Sequence, residues 1–340
     1  MAARGILQKI IQKKRGKRNA PPNARSALLN LPIELIRDIS DELSAVDKVI
    51  FATTCRPVRN TLGLTQLSDS ESDSQEQQFD YLARMCRDMP GKWVCEECMR
   101  CHDINSADTP TNPYLACPFG NVDHGRFNRP LRLIAREEYR LGRRHIQLAL
   151  KYTRLGSEAG SKYRRYLRRL MSSRQYSYSY MWKDARVNNL VKITPRVVNG
   201  RFLLKSIFEY RRKSRPISKE IVDHEFICRH QNLIPEEDLA WIRNPGSNDL
   251  LNFQRALGDA FSAPGHEMHS HCPHCFTDFS VKASPKSIRI TVWQDLGTES
   301  SPLDPVWKSF VYTPYLYSDA ASVRNEEPGR VRELYDSEEA

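Results

Sequence analysis

Two Cys-x-x-Cys pairs, Cys95 to Cys98 and Cys272 to Cys275, constrain this chain more than any other feature. A pair at that spacing sets two thiols on one tight turn, where both can reach the same tetrahedral ion. Each pair then needs two further ligands. Behind the first come Cys101, His102 and Cys117, and ahead of the second comes Cys228-x-His230. Two sets result. One is Cys95, Cys98, His102 and Cys117, with Cys101 an alternative to His102. The other is Cys228, His230, Cys272 and Cys275, where His271 and His274 crowd the turn. Three thiols and one imidazole suit a closed, structural zinc, because a catalytic zinc keeps an open position and often carries carboxylate ligands. Three other arrangements use the same residues. The two pairs could join in one ribbon of four cysteines. The thiols could be free and buried, as is common in cores. Each pair could also be a redox dithiol, although the βαβ setting that supports that reading is missing. Nine cysteines without a secretory signal make a disulfide framework unexpected. His124, His145, His224, His266 and His269 stand singly and read as surface or core residues.

A length of 340 residues suggests about two domains. The net charge of +11 is unevenly placed. Residues 1–33 carry eight basic and no acidic side chains, and residues 126–215 carry twenty-five basic and five acidic ones. Between and after them, residues 34–125, 216–298 and 299–340 are net −8, −4 and −5. The central band is an electrostatic face for an acidic or phosphorylated protein, or for nucleic acid. For the latter, Tyr163, Tyr166, Tyr176, Tyr178 and Tyr180 could stack on bases. Against both, Arg164, Arg165, Arg168 and Arg169 fall opposite an apolar helix stripe, as on a solvated face. Residues 1–27 read as a disordered basic tail, although a nuclear-import signal or a mitochondrial presequence shares that composition. No run of eighteen apolar residues occurs, so no membrane-spanning helix is expected.

Along the chain, residues 65–80 are acidic and read as a linker or loop, and residues 131–171 are helical by period. The stretches VNNLVKIT and RFLLKSIFEY flank Asn199-Gly200, a strong hairpin signal. A second hairpin is expected over 276–294, turning at Pro285. Residues 81–315 thus form a mixed helix and antiparallel-strand domain, followed by an acidic tail over 316–340. The fold class is α+β. No P-loop, dinucleotide, nucleophile-elbow or zincin motif occurs, and the paired acids Glu137-Glu138 and Glu236-Glu237 read as solvated charge, so no enzyme is expected.

The N-terminal stretch carries its own pattern. Leu31, Leu35, Ile36, Ile39 and Leu43 share one helix stripe, with Pro32 in the first turn. Ser44 and Asp47 form an N-cap pair for a second helix from Val46 to Thr54. Pro57 breaks that helix at Arg56, and Val58 and Leu62 continue as a third. A unit of about 35 residues is too small for a comfortable free core, so it is expected to dock on a partner. These residues resemble an F-box. Leu31-Pro32, Glu34-Leu35, Ile39, Leu43, Asp47, Cys55-Arg56 and Arg59 match its LPxEL…I…L…D…CRxxR spacing across residues 28–64.

The wider chain resembles fungal F-box proteins from residue 28 to about 310. The elements shared are Trp93, Cys95, Cys98 and His102; Ile227, Cys228 and His230; Cys272, Cys275, Thr277, Asp278 and Phe279; Trp293, Asp295, Leu296 and Gly297; and Asp304, Pro305 and Trp307. The resemblance implies docking to an Skp-type adaptor on a cullin scaffold through Leu31, Pro32, Leu35, Ile36, Ile39 and Leu43, divided between that interface and the unit's own core. It also implies a non-catalytic ubiquitin-ligase receptor acting in the nucleus or cytoplasm, and it names no substrate. A zinc-containing nucleic-acid-binding protein using the basic band is the alternative.

Overall fold

The apolar spacing of residues 31–62 folds as three short helices in a computed structural model. It describes residues 27–63, 71–95, 98–113, 117, 139–183, 185–213, 215–222, 226–228, 230–232, 251–310, 323, 325 and 327–337. The expected basic tail up to residue 26, residues 126–138 of the basic band, Glu236-Glu237, His124 and His224 lie outside these residues. By internal contacts the chain divides into Met1–Leu67 and Ser68–Ala340.

In the first unit, helices α1 (Ile33–Asp41), α2 (Ala45–Thr54) and α3 (Arg56–Leu62) follow one another closely. Pro32 caps α1, and Ser44 Oγ accepts the Asp47 N–H at 3.2 Å to start α2. The break before α3 falls at Cys55, which is extended at φ −155° and ψ 160°, while Arg56 already belongs to the helix. Pro57 therefore sits in the first turn of α3 rather than ending α2, a position where its missing N–H has no partner to lose. The core is small: Ile36, Val46, Ala52 and Val58 are its buried apolar members.

The second unit opens with α4 (Glu71–Arg87), so most of the expected acidic linker is helical. No glycine or proline interrupts residues 68–89. Phe79, Leu82 and Cys86, spaced along one face, dock on Val94. The hairpin β1 (Lys92–Cys95) and β2 (Arg100–Asp103) follows, then α5 (Arg143–Leu155) and α6 (Ser161–Leu170). Strands β3 (Arg174–Trp182), β4 (Ala185–Val198) and β5 (Arg201–Arg212) precede the short pair β6 (Phe226–Cys228) and β7 (Gln231–Asn232). Helix α7 (Leu251–Ser262) leads to β8 (Glu267–His271), β9 (Thr277–Ser284) and β10 (Ser287–Thr298). The short helices α8 (Pro305–Lys308) and α9 (Arg330–Asp336) end the described fold.

Six of these strands form one antiparallel sheet in the order β3-β4-β5-β10-β9-β8. Both expected hairpins are present. Asn199 and Gly200 take φ 49° and 70°, the left-handed pair that a two-residue turn between twisted strands requires. Strand alternation sorts the two faces. One presents Val191, Phe208, Ile290 and Val281 in cross-strand register to the main core, together with residues of α5, α6 and α7. The other carries Leu203 and Trp293, covered by Val331 and Tyr335 of α9. The expected acidic tail over 316–340 thus contains a packed helix, because Val331, Leu334 and Tyr335 give it an apolar stripe.

Candidate metal centres

Both expected ligand sets assemble. Within Cys95, Cys98, His102 and Cys117, and within Cys228, His230, Cys272 and Cys275, one ligand atom from each residue lies within 4.8 Å of the others. A tetrahedral ion with Zn–S near 2.3 Å spaces its thiolates by about 3.8 Å, so either set closes around an ion with small side-chain adjustments. The two pairs stand on different hairpins, which removes the single four-cysteine ribbon.

The first set is built on β1 and β2. Cys95 ends β1, and the chain reverses through Met99 at φ 50°. His102 stands opposite Trp93, with ring centroids 5.0 Å apart. Cys98 Sγ lies 3.1 Å from His102 Nε2. Burial, followed by the hydrogen bond and charge of Cys117, raises the Cys98 pKa. Burial and then the nearby Arg100 lower that of His102.

Cys101 is not a ligand in this arrangement. Successive residues of β2 face opposite ways, so Cys101 turns from His102 toward α4 and forms a disulfide with Cys86. This corrects the reading of Cys101 as an alternative to His102, and it adds one disulfide where metal or free thiols were expected. The alternation of a short strand and the helical stripe ending at Cys86 were the available signals.

The second set joins two hairpins. Cys228 and His230 come from the β6–β7 turn, and Cys272 and Cys275 from the β8–β9 turn. That turn is tight: Cys272 N–H donates to Thr277 O at 2.9 Å, and His274 N–H points at Cys272 Sγ at 3.4 Å. All three thiols are at most 1% exposed. Burial holds the Cys228 and Cys275 thiols well above the usual range. Cys272 is pulled well below it: burial acts upward, but hydrogen bonds from Cys228, Cys275 and His230 outweigh it. His230 Nε2 is buried with no hydrogen-bond partner among the described residues. His230 Nδ1 lies 4.0 Å from Cys228 Sγ, and a closed group of three thiols and an imidazole has the donor chemistry of a cation site, where the ion would ionise the thiols and take one imidazole nitrogen.

The surroundings of the first set hold residues that the sequence did not mark. Lys151 Nζ donates to the carbonyls of Cys86 (2.6 Å), Lys92 (2.7 Å) and Met89 (3.4 Å), and burial draws its pKa down to about 8. Gln147 Oε1 accepts the Val94 N–H at 3.0 Å, and Tyr152 OH donates to Pro90 O at 2.8 Å. Asp108 takes Arg144 at 2.5 and 3.0 Å and His145 at 3.2 Å. Despite burial, His145 and Arg144 hold its carboxyl well below the ordinary range.

In the basic band, Lys162, Arg164, Arg165 and Arg168 of α6 are exposed. The tyrosines between these arginines are not. Tyr166 is buried, and Tyr163, Tyr176, Tyr178 and Tyr180 are half-buried, packed in part against the core. Among the described residues no helix is long and apolar enough to cross a membrane. The chain matches no protein-family model, no curated protein and no solved structure.

Proposed function

We propose that the protein is a non-catalytic substrate receptor of a cullin–RING ubiquitin ligase. Its three-helix unit docks an Skp-type adaptor, and the larger unit holds two structural zinc ions and presents a bound protein for ubiquitination. The observation that carries this reading is an unpartnered apolar face on α1. Ile33, Leu35 and Ile39 are 49%, 47% and 41% exposed, three of the four exposed large apolar side chains among the described residues. A unit with so small a core gains by covering such a face with a partner. Leu35 and Ile39 stand in the F-box-like spacing, and Ile33 fills its variable position. Within that stripe Ile36 serves the unit's own core, Leu31 and Leu43 are half-buried, and Pro32, Leu35 and Ile39 remain for the adaptor. Zinc is the metal of choice because thiolate-rich tetrahedral sets select it. A receptor needs no chemistry of its own, since holding a substrate beside a charged enzyme raises its effective concentration. The exposed cations of α6 suit an acidic or phosphorylated segment of that substrate.

Replacing Leu35 and Ile39 together with alanine removes exposed side chains and leaves the helical core intact. The double variant is expected to lose co-purification with the adaptor while keeping its helical signal. Undiminished adaptor binding would overturn the assignment. Metal analysis of the purified chain is expected to return two zinc equivalents.

A further inference from the structure

The second face of the sheet is polar where α9 does not cover it. One cross-strand row there runs His271, Asp278, Trp293, Lys205, and alternation along β8 puts His269 on the same face. Asp278 anchors α9 above this row: its carboxylate accepts the Gly329 N–H at 3.1 Å and the Arg332 N–H at 3.0 Å. Gly329 takes φ 91° to make that approach, and any Cβ there would be strained. Between helix and sheet lies a cleft of about 200 Å³ whose lining includes His269, His271, Asp278, Trp293, Gly329 and Arg332.

The lining is rich in donors. Arg332 Nη1 lies 2.8 Å from His269 Nδ1. A guanidinium has no lone pair to offer, so it donates and the imidazole proton sits on Nε2. Trp293 is 4% exposed, yet its Nε1–H has no acceptor among the described residues. A buried indole N–H ordinarily finds one. The carboxylate in the lining already spends both oxygens on backbone amides. A metal ion fits poorly, because Arg332 repels it and His269 has no nitrogen lone pair left.

We propose that this cleft binds a single oxyanionic group, a carboxylate or a phosphoryl, through Arg332 and the Trp293 indole N–H, with His269 and His271 beside them. The site stands apart from the receptor reading, and either can fail without the other.

The test uses the full-length chain labelled with ¹⁵N at its five tryptophan indoles, titrated separately with inorganic phosphate and with acetate against matched chloride. One indole signal, the one missing in Trp293→Phe, is expected to move saturably. Response to phosphate alone identifies a phosphoryl site, and response to acetate alone a carboxylate site. Arg332→Gln, a change at a partly exposed position that leaves the fold intact, is expected to weaken the response at least about tenfold, the loss of one charge-assisted contact. If Trp293→Phe does not fold, the signal perturbed in Arg332→Gln supplies the assignment. No saturable movement with either anion, or an equal response in Arg332→Gln, overturns the proposal.

Discussion

The two cysteine centres share a ligand set, and Cys95 and Cys117 of the first reach the same core as the second, but their scaffolds are held differently. The second is embedded in apolar packing. Cys228, Cys272 and Cys275 belong to the main core beside Phe253 and Phe279, which meet edge to face at 5.6 Å. Its turn is continuous with the ladder of β8 and β9. The first sits on a hairpin of four residues per strand, too short to hold itself. There α5 and α6 grip the backbone with polar side chains. Lys151 and Tyr152 bond carbonyls on the approach to β1, while Tyr166 and Arg169 reach Asp108 O and Ser106 O beyond β2. The Cys86–Cys101 disulfide adds a covalent tie. A cysteine knuckle can thus be fixed either by burying its scaffold or by satisfying its scaffold's carbonyls, and on the zinc reading the two should differ in what an ion's loss does.

The largest effect is expected at the second centre. Structural zinc contributes on the order of 10 kcal/mol or more, comparable with the whole stability of a domain. Cys275→Ser should therefore remove one zinc equivalent and abolish the cooperative urea transition of the sheet. Cys95→Ser should also remove one equivalent, but deuterium exchange should rise locally over 92–103 while β5 and β10 stay protected. Equal global unfolding in both variants would erase the distinction.

The disulfide comes next. With a sequence separation of 15 residues, its loss should lower stability by about 3 kcal/mol, read as a shift in the urea midpoint. Cys101→Ser should keep both zinc equivalents, and loss of one would return Cys101 to the ligand set.

The smallest effect is a pH dependence confined to the polar grip. Burial lowers the His145 pKa below its ordinary 6.5. As pH falls through that value the unfolded chain takes up the proton first, so stability is lost on acidification. Asp108 is likewise depressed below 3.8, so it contributes fully above that pH and less beneath it. At saturating zinc, the urea midpoint should be flat above pH 7 and decline toward pH 5. A flat profile across that window would show that the His145 contact contributes nothing.

Local order was legible because it obeys short periods. The Asn199-Gly200 turn, the Ser44 cap, the α6 stripe and the hairpin around Pro285 each depend on residues within one element. Several elements were missed where a local signal was weak and a distant partner decided. Residues 71–78 look too polar to fold, yet α4 forms because Phe79 and Cys86 dock at its far end. The Ser-Tyr alternation of β3 has period 2, but only its pairing with β4 shows that Tyr176, Tyr178 and Tyr180 are half-buried against the core.

The sequence by itself determined which residues could hold a metal ion and how they pair at short range, since a Cys-x-x-Cys turn needs only its own backbone. It also determined the amphipathic spacing of the N-terminal helices. Tertiary structure alone decided that Cys228 and His230 close on Cys272 and Cys275, that Cys101 pairs with Cys86 and leaves His102 to the ligand set, and that Arg332 and Trp293 meet across a cleft. Those outcomes depend on strand register and on faces brought together over many residues. Chain closure over such distances is a property of the whole fold and leaves no periodic trace in any one segment.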